Sequence, residues 1–139
     1  MPLPIEDVLA IHELVARYAH ALDSGDAEAF VATFTPDGVF DNPPTHREGR
    51  EQLLLMGGNR AGSVGATRHF MSNVIVEGDG QRATVKAYLM MTRGIGQEPG
   101  IAVYNDDLVK VDGKWLFKIR RVIADKRVRP EPKPKPPEA

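Results

Sequence analysis

The chain has 139 residues, enough for one domain that buries roughly two thirds of its unfolded surface and too few for two separate cores. Its 18 basic and 19 acidic residues are interspersed, leaving no electrostatic footprint for nucleic acid or an anionic membrane. Cysteine is absent, which excludes disulfides, thiolate metal sites and cysteine nucleophiles.

The opening MPLPIEDVLAIHEL has early acidic residues and neither a basic n-region nor a long apolar h-region, so no signal peptide is expected. No apolar run approaches the roughly 18 residues of a membrane span. The expectation is a soluble cytoplasmic protein. Ile5, Val8, Leu9, Ile11, Val15, Tyr18, Ala19 and Leu22 recur at three- and four-residue spacing, which predicts an amphipathic helix ending near Asp23, before Ser24-Gly25. Asp26 then caps a short helix in AEAFVATF, which TPDG closes. A short strand is expected to start at Val39-Phe40 and to break at Pro43-Pro44. REQLLLM offers a third helix that ends at Gly57-Gly58.

Beyond the glycine-rich GGNRAGSVGA, read as a loop and candidate pocket lid, the pattern becomes β. Strands are predicted over 67–77, 82–93, 101–112 and 114–124, with Asp112-Gly113 as a hairpin turn. Helices followed by a four-stranded antiparallel meander imply an α+β domain over residues 1–128. The remainder, 129–139, lies in VRPEPKPKPPEA, whose five prolines in twelve residues alternate with charge, so it reads as a solvated tail. Strict alternation puts His69, Met71, Asn73 and Ile75 on one face, opposite Phe70, Val74 and Val76. It also gathers Trp115, Phe117, Ile119 and Ile123 on one face, and sets Arg120 beside Lys118 on the other unless a bulge intervenes. With apolar residues on both faces of the sheet, a homodimer through the outer face is expected.

Two residues invite a chemical reading. Asp23 sits at a helix C-terminus, where the macrodipole disfavours a carboxylate, and either an Asx turn with Ser24-Gly25 or a partner elsewhere accounts for it. His69 occupies a strand entrance where a β-branched or aromatic residue is the usual choice. A hydrogen-bonded structural histidine and a catalytic base both fit that position. His12, His20, His46 and His69 show no ligand spacing, and no GxGxxG or GxxxxGK[ST] run occurs, so neither a metal nor a nucleotide cofactor is expected.

The segments RYAHALDSGDAEAFVATFTPDGVF, RHFMSN and DDLVKVDGKWLFKIRR, in this order and spacing, resemble the SnoaL-like branch of the nuclear-transport-factor-two-like superfamily over residues 5–127. That branch includes scytalone dehydratase, hexachlorocyclohexane dehydrochlorinase, bile-acid dehydratases and polyketide cyclases. The resemblance implies a cone-shaped α+β barrel around a pocket, with Asp23 and His69 as a catalytic dyad. It also aligns Arg120 with an arginine that assists leaving-group departure in the dehydrochlorinase, and Tyr18 with a lysine of that enzyme, which argues against the same reaction. Scytalone dehydratase has a second histidine on the strand matching 82–93, and a tyrosine where this chain has Leu22. Scytalone is thus not the expected substrate.

Tyr18, Phe40, Asn73, Tyr88, Met90 and Tyr104 complete the expected pocket. Each serves equally well as core. The resulting expectation is a cofactor-independent lyase or isomerase acting on a small, largely apolar molecule, cyclic compounds included. A ligand-binding protein without turnover and an accessory subunit of a larger enzyme are the rivals.

Overall fold

The computed structural model describes residues 2–60, 62–126 and 134–138. The element order is α1 (Ile5–Ser24), α2 (Ala27–Val31), β1 (Phe34–Asn42), β2 (Thr45–Glu48), α3 (Gly49–Gly58), β3 (His69–Gly78), β4 (Arg82–Met91), β5 (Gly100–Val111) and β6 (Lys114–Ala124). Most of the expected tail lies outside the described residues; within it, residues 134–138 form no helix or strand.

Helix α1 stops where Gly25 adopts φ 72°, and the Gly25 amide bonds back to the carbonyls of Ala21 and Leu22. Glycine suits this left-handed position because a side chain there would crowd the backbone. The face carrying Ile11, Leu14, Val15, Tyr18 and Leu22 is buried, whereas Ile5 and Leu9 remain exposed. The first turn is tied to the sheet by Asp7, whose Oδ1 accepts hydrogen bonds from Trp115 Nε1 at 2.9 Å and Lys110 Nζ at 3.0 Å. Those two donors, the indole first, hold the Asp7 carboxyl below its ordinary value. Its stabilising effect is therefore complete above pH 3.8 and fades as the pH falls through the lowered value. Asp7→Ala is expected to lower the melting temperature by several degrees, measured by circular dichroism at neutral pH. An unchanged transition would show that the anchor contributes nothing.

The sheet has six strands in the order β2-β1-β6-β5-β4-β3, not four. It is curved and unclosed, since β2 and β3 end it without pairing to each other. All pairings are antiparallel except β1 with β6. The two additional strands precede α3: β1 contains the short strand expected from Val39-Phe40 but begins earlier, at Phe34, and β2 follows the break at Pro43-Pro44. TPDG does not close α2, which already ends at Val31; it runs within β1 as an irregularity between Phe34 and Val39 in the pairing with β6. Gly38 is needed here, because a Cβ would lie 2.8 Å from that of Phe34. Pro36 is tolerated because ladder pairing is interrupted at this point. The Asp112-Gly113 turn has φ of 50° and 78°, the two positive angles of a tight hairpin.

Two bulges decide which side chains enter the cone. In β3 the register slips between Ser72 and Ile75, where Asn73 takes φ 54°. Alternation is reset there, so Met71, Val74 and Val76 pack on the core and Ile75 is exposed, contrary to the strict pattern. In β6, Ile119 pairs with Asp107 and Phe117 with Leu108, leaving Lys118 extra. Trp115 and Phe117 before it, and Arg120 and Val122 after it, all point inward, while Ile123 is exposed. Ile119 and Ile123 therefore do not share the face of Trp115.

Candidate active site

The residue that begins β3 meets the end of α1. His69 donates its backbone N–H to Asp23 Oδ2 at 2.9 Å, and its ring Nδ1 is hydrogen-bonded to Asp23 Oδ1. Both carboxylate oxygens are thus engaged by one residue 46 positions away in sequence, and no Asx turn is formed. Both side chains are almost wholly buried, 5% exposed for His69 and 10% for Asp23. Burial, reinforced by the charges of Arg60 and Arg120, holds the imidazole below its ordinary 6.5, outweighing the hydrogen bond and charge of Asp23 that pull it up. At neutral pH the ring is uncharged. With Nδ1–H committed to the carboxylate, the lone pair belongs to Nε2.

His69 lines a cavity of about 420 Å³ inside the cone. Its inner wall includes Tyr18, Leu22, Phe40, Leu89, Tyr104 and Val122, and its more polar side carries Asn59, Arg47, Arg60 and Arg93. Of the expected contact residues, Tyr18, Phe40 and Tyr104 are brought together with His69. The other three are not. Tyr88 and Met90 project from the opposite face of β4, 54% and 42% exposed, because Ala87 and Leu89 take the inward positions. Asn73 is carried outside by its bulge and is exposed.

Arg120 points inward through the β6 bulge but does not line the cavity. It is fully buried, its guanidinium carbon 3.6 Å from the ring centre of Tyr104, 4.2 Å from that of Tyr18 and 4.5 Å from that of Phe117. Its Nε lies 3.4 Å from Asp106 Oδ1, and its Nη2 donates to Met71 Sδ at 3.4 Å. Asp106, also buried, is pushed up to about 7 by loss of hydration, against the pull of Arg120. Arg120 therefore reaches the site by its charge rather than by contact. Burial likewise drives the Tyr18 phenol well above its usual range, and among the described residues its hydroxyl meets no hydrogen-bond partner of good geometry.

Sequence reasoning missed Asp106, Arg47, Arg60 and Arg93. For Asp106 the signal was alternation with Tyr104 and Leu108, both apolar and inward. For the arginines no local pattern distinguishes a cavity rim from a solvated loop. Among the described residues, no group of three or more histidine, aspartate or glutamate side chains is placed to hold a metal, and no helix is long and apolar enough to cross a membrane.

The model of the SnoaL-like domain matches residues 4–121. The chain belongs to the SnoaL-like domain family. A Nostoc punctiforme protein of unknown function with a cystatin-like fold is 31% identical, with 90% of this chain and 96% of that one aligned at a TM-score of 0.81. A Mycobacterium tuberculosis protein of unknown function is 29% identical over 88% of this chain and 73% of that one, with a TM-score of 0.80. A Novosphingobium aromaticivorans protein named as a candidate scytalone dehydratase is 26% identical over 90% of this chain and 91% of that one, with a TM-score of 0.71. No curated protein matches the chain.

Proposed function

We propose that this SnoaL-like protein is a cofactor-independent lyase or isomerase in which His69, oriented by Asp23, is the general base and acid. The observation that carries the reading is a buried imidazole whose Nδ1 is held by a carboxylate and which lines a cavity walled by apolar and aromatic side chains. In an elimination, Nε2 takes a proton from carbon adjacent to an activating carbonyl, and the C–H electron pair becomes the new C=C bond. The departing hydroxide then recovers that proton from the imidazolium and leaves as water. In an isomerisation the same proton is returned to a different carbon. Asp23 offsets the imidazolium charge in either case.

A protein that only binds its ligand needs the cavity but not the pair, and solvent exchange separates the two readings. Small cyclic β-hydroxy ketones incubated with the protein in deuterated water should lose water or take up deuterium next to the carbonyl, followed by mass spectrometry. His69→Gln should abolish this. Equal behaviour of the two proteins, or no exchange with either, would assign the cavity to binding alone.

A homodimer is also part of the proposal. The outer face of the sheet exposes Phe70, Met90 and Ile101 in one cross-strand row, with Tyr88 and Ile123 in the next. A second copy would cover these rows. Light scattering should give twice the 15.3 kDa chain mass, and Met90→Glu should shift it towards the monomer. A wild-type mass near one chain would remove the dimer.

A further inference from the structure

We propose that the cavity is built for a substrate carrying a carboxylate, which Arg60 and Arg93, with Arg47 beside them, hold at its rim while the apolar remainder faces His69. The proposal rests on the reading of this cavity as the substrate site. It adds a charge to what the inner wall alone would describe as an apolar ligand.

Three observations support it. Among the described residues, Arg47, Arg60, Arg93 and His69 are the ionisable groups of the lining apart from the tyrosines, and no aspartate or glutamate is among them. Asp23 is turned away into its bonds with His69, and Asp106 lies behind Tyr104 against Arg120. The charge of the lining is therefore uncompensated. Secondly, no ion pair to Arg47, Arg60 or Arg93 occurs among the described residues, although carboxylates elsewhere pair with Arg17, Arg50, Lys110, Arg120 and Arg121. The buried Nε of Arg60 has no hydrogen-bond partner among the described residues. An unpaired buried donor is costly, and an acceptor from a ligand would satisfy it.

Thirdly, the arginines come from separate elements and converge. Arg60 follows α3, Arg93 follows β4 and Arg47 lies on β2. Arg93 lies across Gly100, where a Cβ would fall 2.9 Å from its Nη2, so the missing side chain gives the guanidinium its place beside the cavity. Planar guanidinium forks match carboxylates through paired N–H···O bonds, which lysine would not do. Arg60 is also close enough to act on the charge of His69, so an anion bound there sits near the base.

Calorimetric titration with 2-naphthoate and its neutral isostere 2-naphthamide isolates the charge, since the two differ little in shape. At low salt the carboxylate should bind about tenfold more tightly, the scale of a charged hydrogen bond, and the gap should narrow as salt is added. Arg60→Gln and, independently, Arg93→Gln at an exposed position should each remove most of the preference. Arg121→Gln, on the outer face of the sheet, should leave it intact. Equal affinities, tighter amide binding, no binding of either compound, or a preference that follows Arg121 would overturn the carboxylate site. No turnover is read, so such a failure would leave the Asp23–His69 chemistry standing, which solvent exchange tests separately.

Discussion

Asp106→Leu is expected to destabilise the protein by about 3–5 kcal/mol, the usual cost of leaving one buried charge without its partner. Arg120 is fully buried, so removal of Asp106 leaves its guanidinium with only three aromatic rings and Met71 Sδ around it. Arg120→Met should cost less, because the surviving carboxyl can become neutral. Replacing both residues together, Arg120→Met with Asp106→Leu, should recover much of the loss, since apolar side chains of similar size fill the space without a desolvation penalty. Urea unfolding of the four proteins closes the cycle. Additive losses in the double variant would mean that the two residues do not act as a pair.

The same pair makes stability depend on pH. Asp106 is raised to about 7 in the folded protein, against an ordinary 3.8. Between these values the folded chain holds a proton that the unfolded chain has lost, so the contribution of Asp106 to stability falls as pH rises from about 4 to about 7. His69 acts in the opposite direction. Its lowered folded value means that the unfolded chain takes up the proton first, so stability falls as pH drops below 6.5 towards the lowered value.

The helices and the four long strands were legible because periodicity and turn residues agree along them, as at Gly25 and Asp112-Gly113. What alternation misassigned was misassigned by single extra residues. Asn73 and Lys118 each shift the phase of a strand by one, which exchanges every side chain beyond them between the two faces. Polar residues give no local warning of such a shift. The second half of β1, from Val39-Phe40, was legible, but its first half was hidden: Pro36 and Gly38 are turn-formers, and only the close approach of Phe34 shows why glycine is required within a strand. The meeting of Asp23 with His69 was reached through family resemblance rather than local sequence. Tyr88 and Met90 were lost from the pocket because alanine, not tyrosine, occupies the inward step of β4, which makes room for the large rings of Tyr18 and Tyr104.

Replacing His69 by glutamine should lower kcat/KM on the eventual substrate by about 10²- to 10⁴-fold, the range for loss of a general base. Asp23→Asn should have an effect of similar order for a separable reason. The asparagine carbonyl can still accept the His69 backbone N–H, so the fold at this corner has a means to survive. Its amide nitrogen would then face Nδ1 and donate to it, forcing the ring proton onto Nε2, the atom that must accept the substrate proton. The pH profile distinguishes this from structural damage. In the parent protein the acid limb of kcat/KM should have its midpoint below 6.5, because burial and the neighbouring arginines outweigh Asp23. Removing Asp23's charge takes away the main influence raising that value, so the limb in Asp23→Asn should move to still lower pH while the plateau drops. A variant that merely unfolds would lose amplitude without moving the limb. Full activity in Asp23→Asn, or an acid limb that stays in place, would show that the carboxylate neither orients nor charges the base; only full activity in His69→Gln would leave His69 as a buried ring at the entrance of β3.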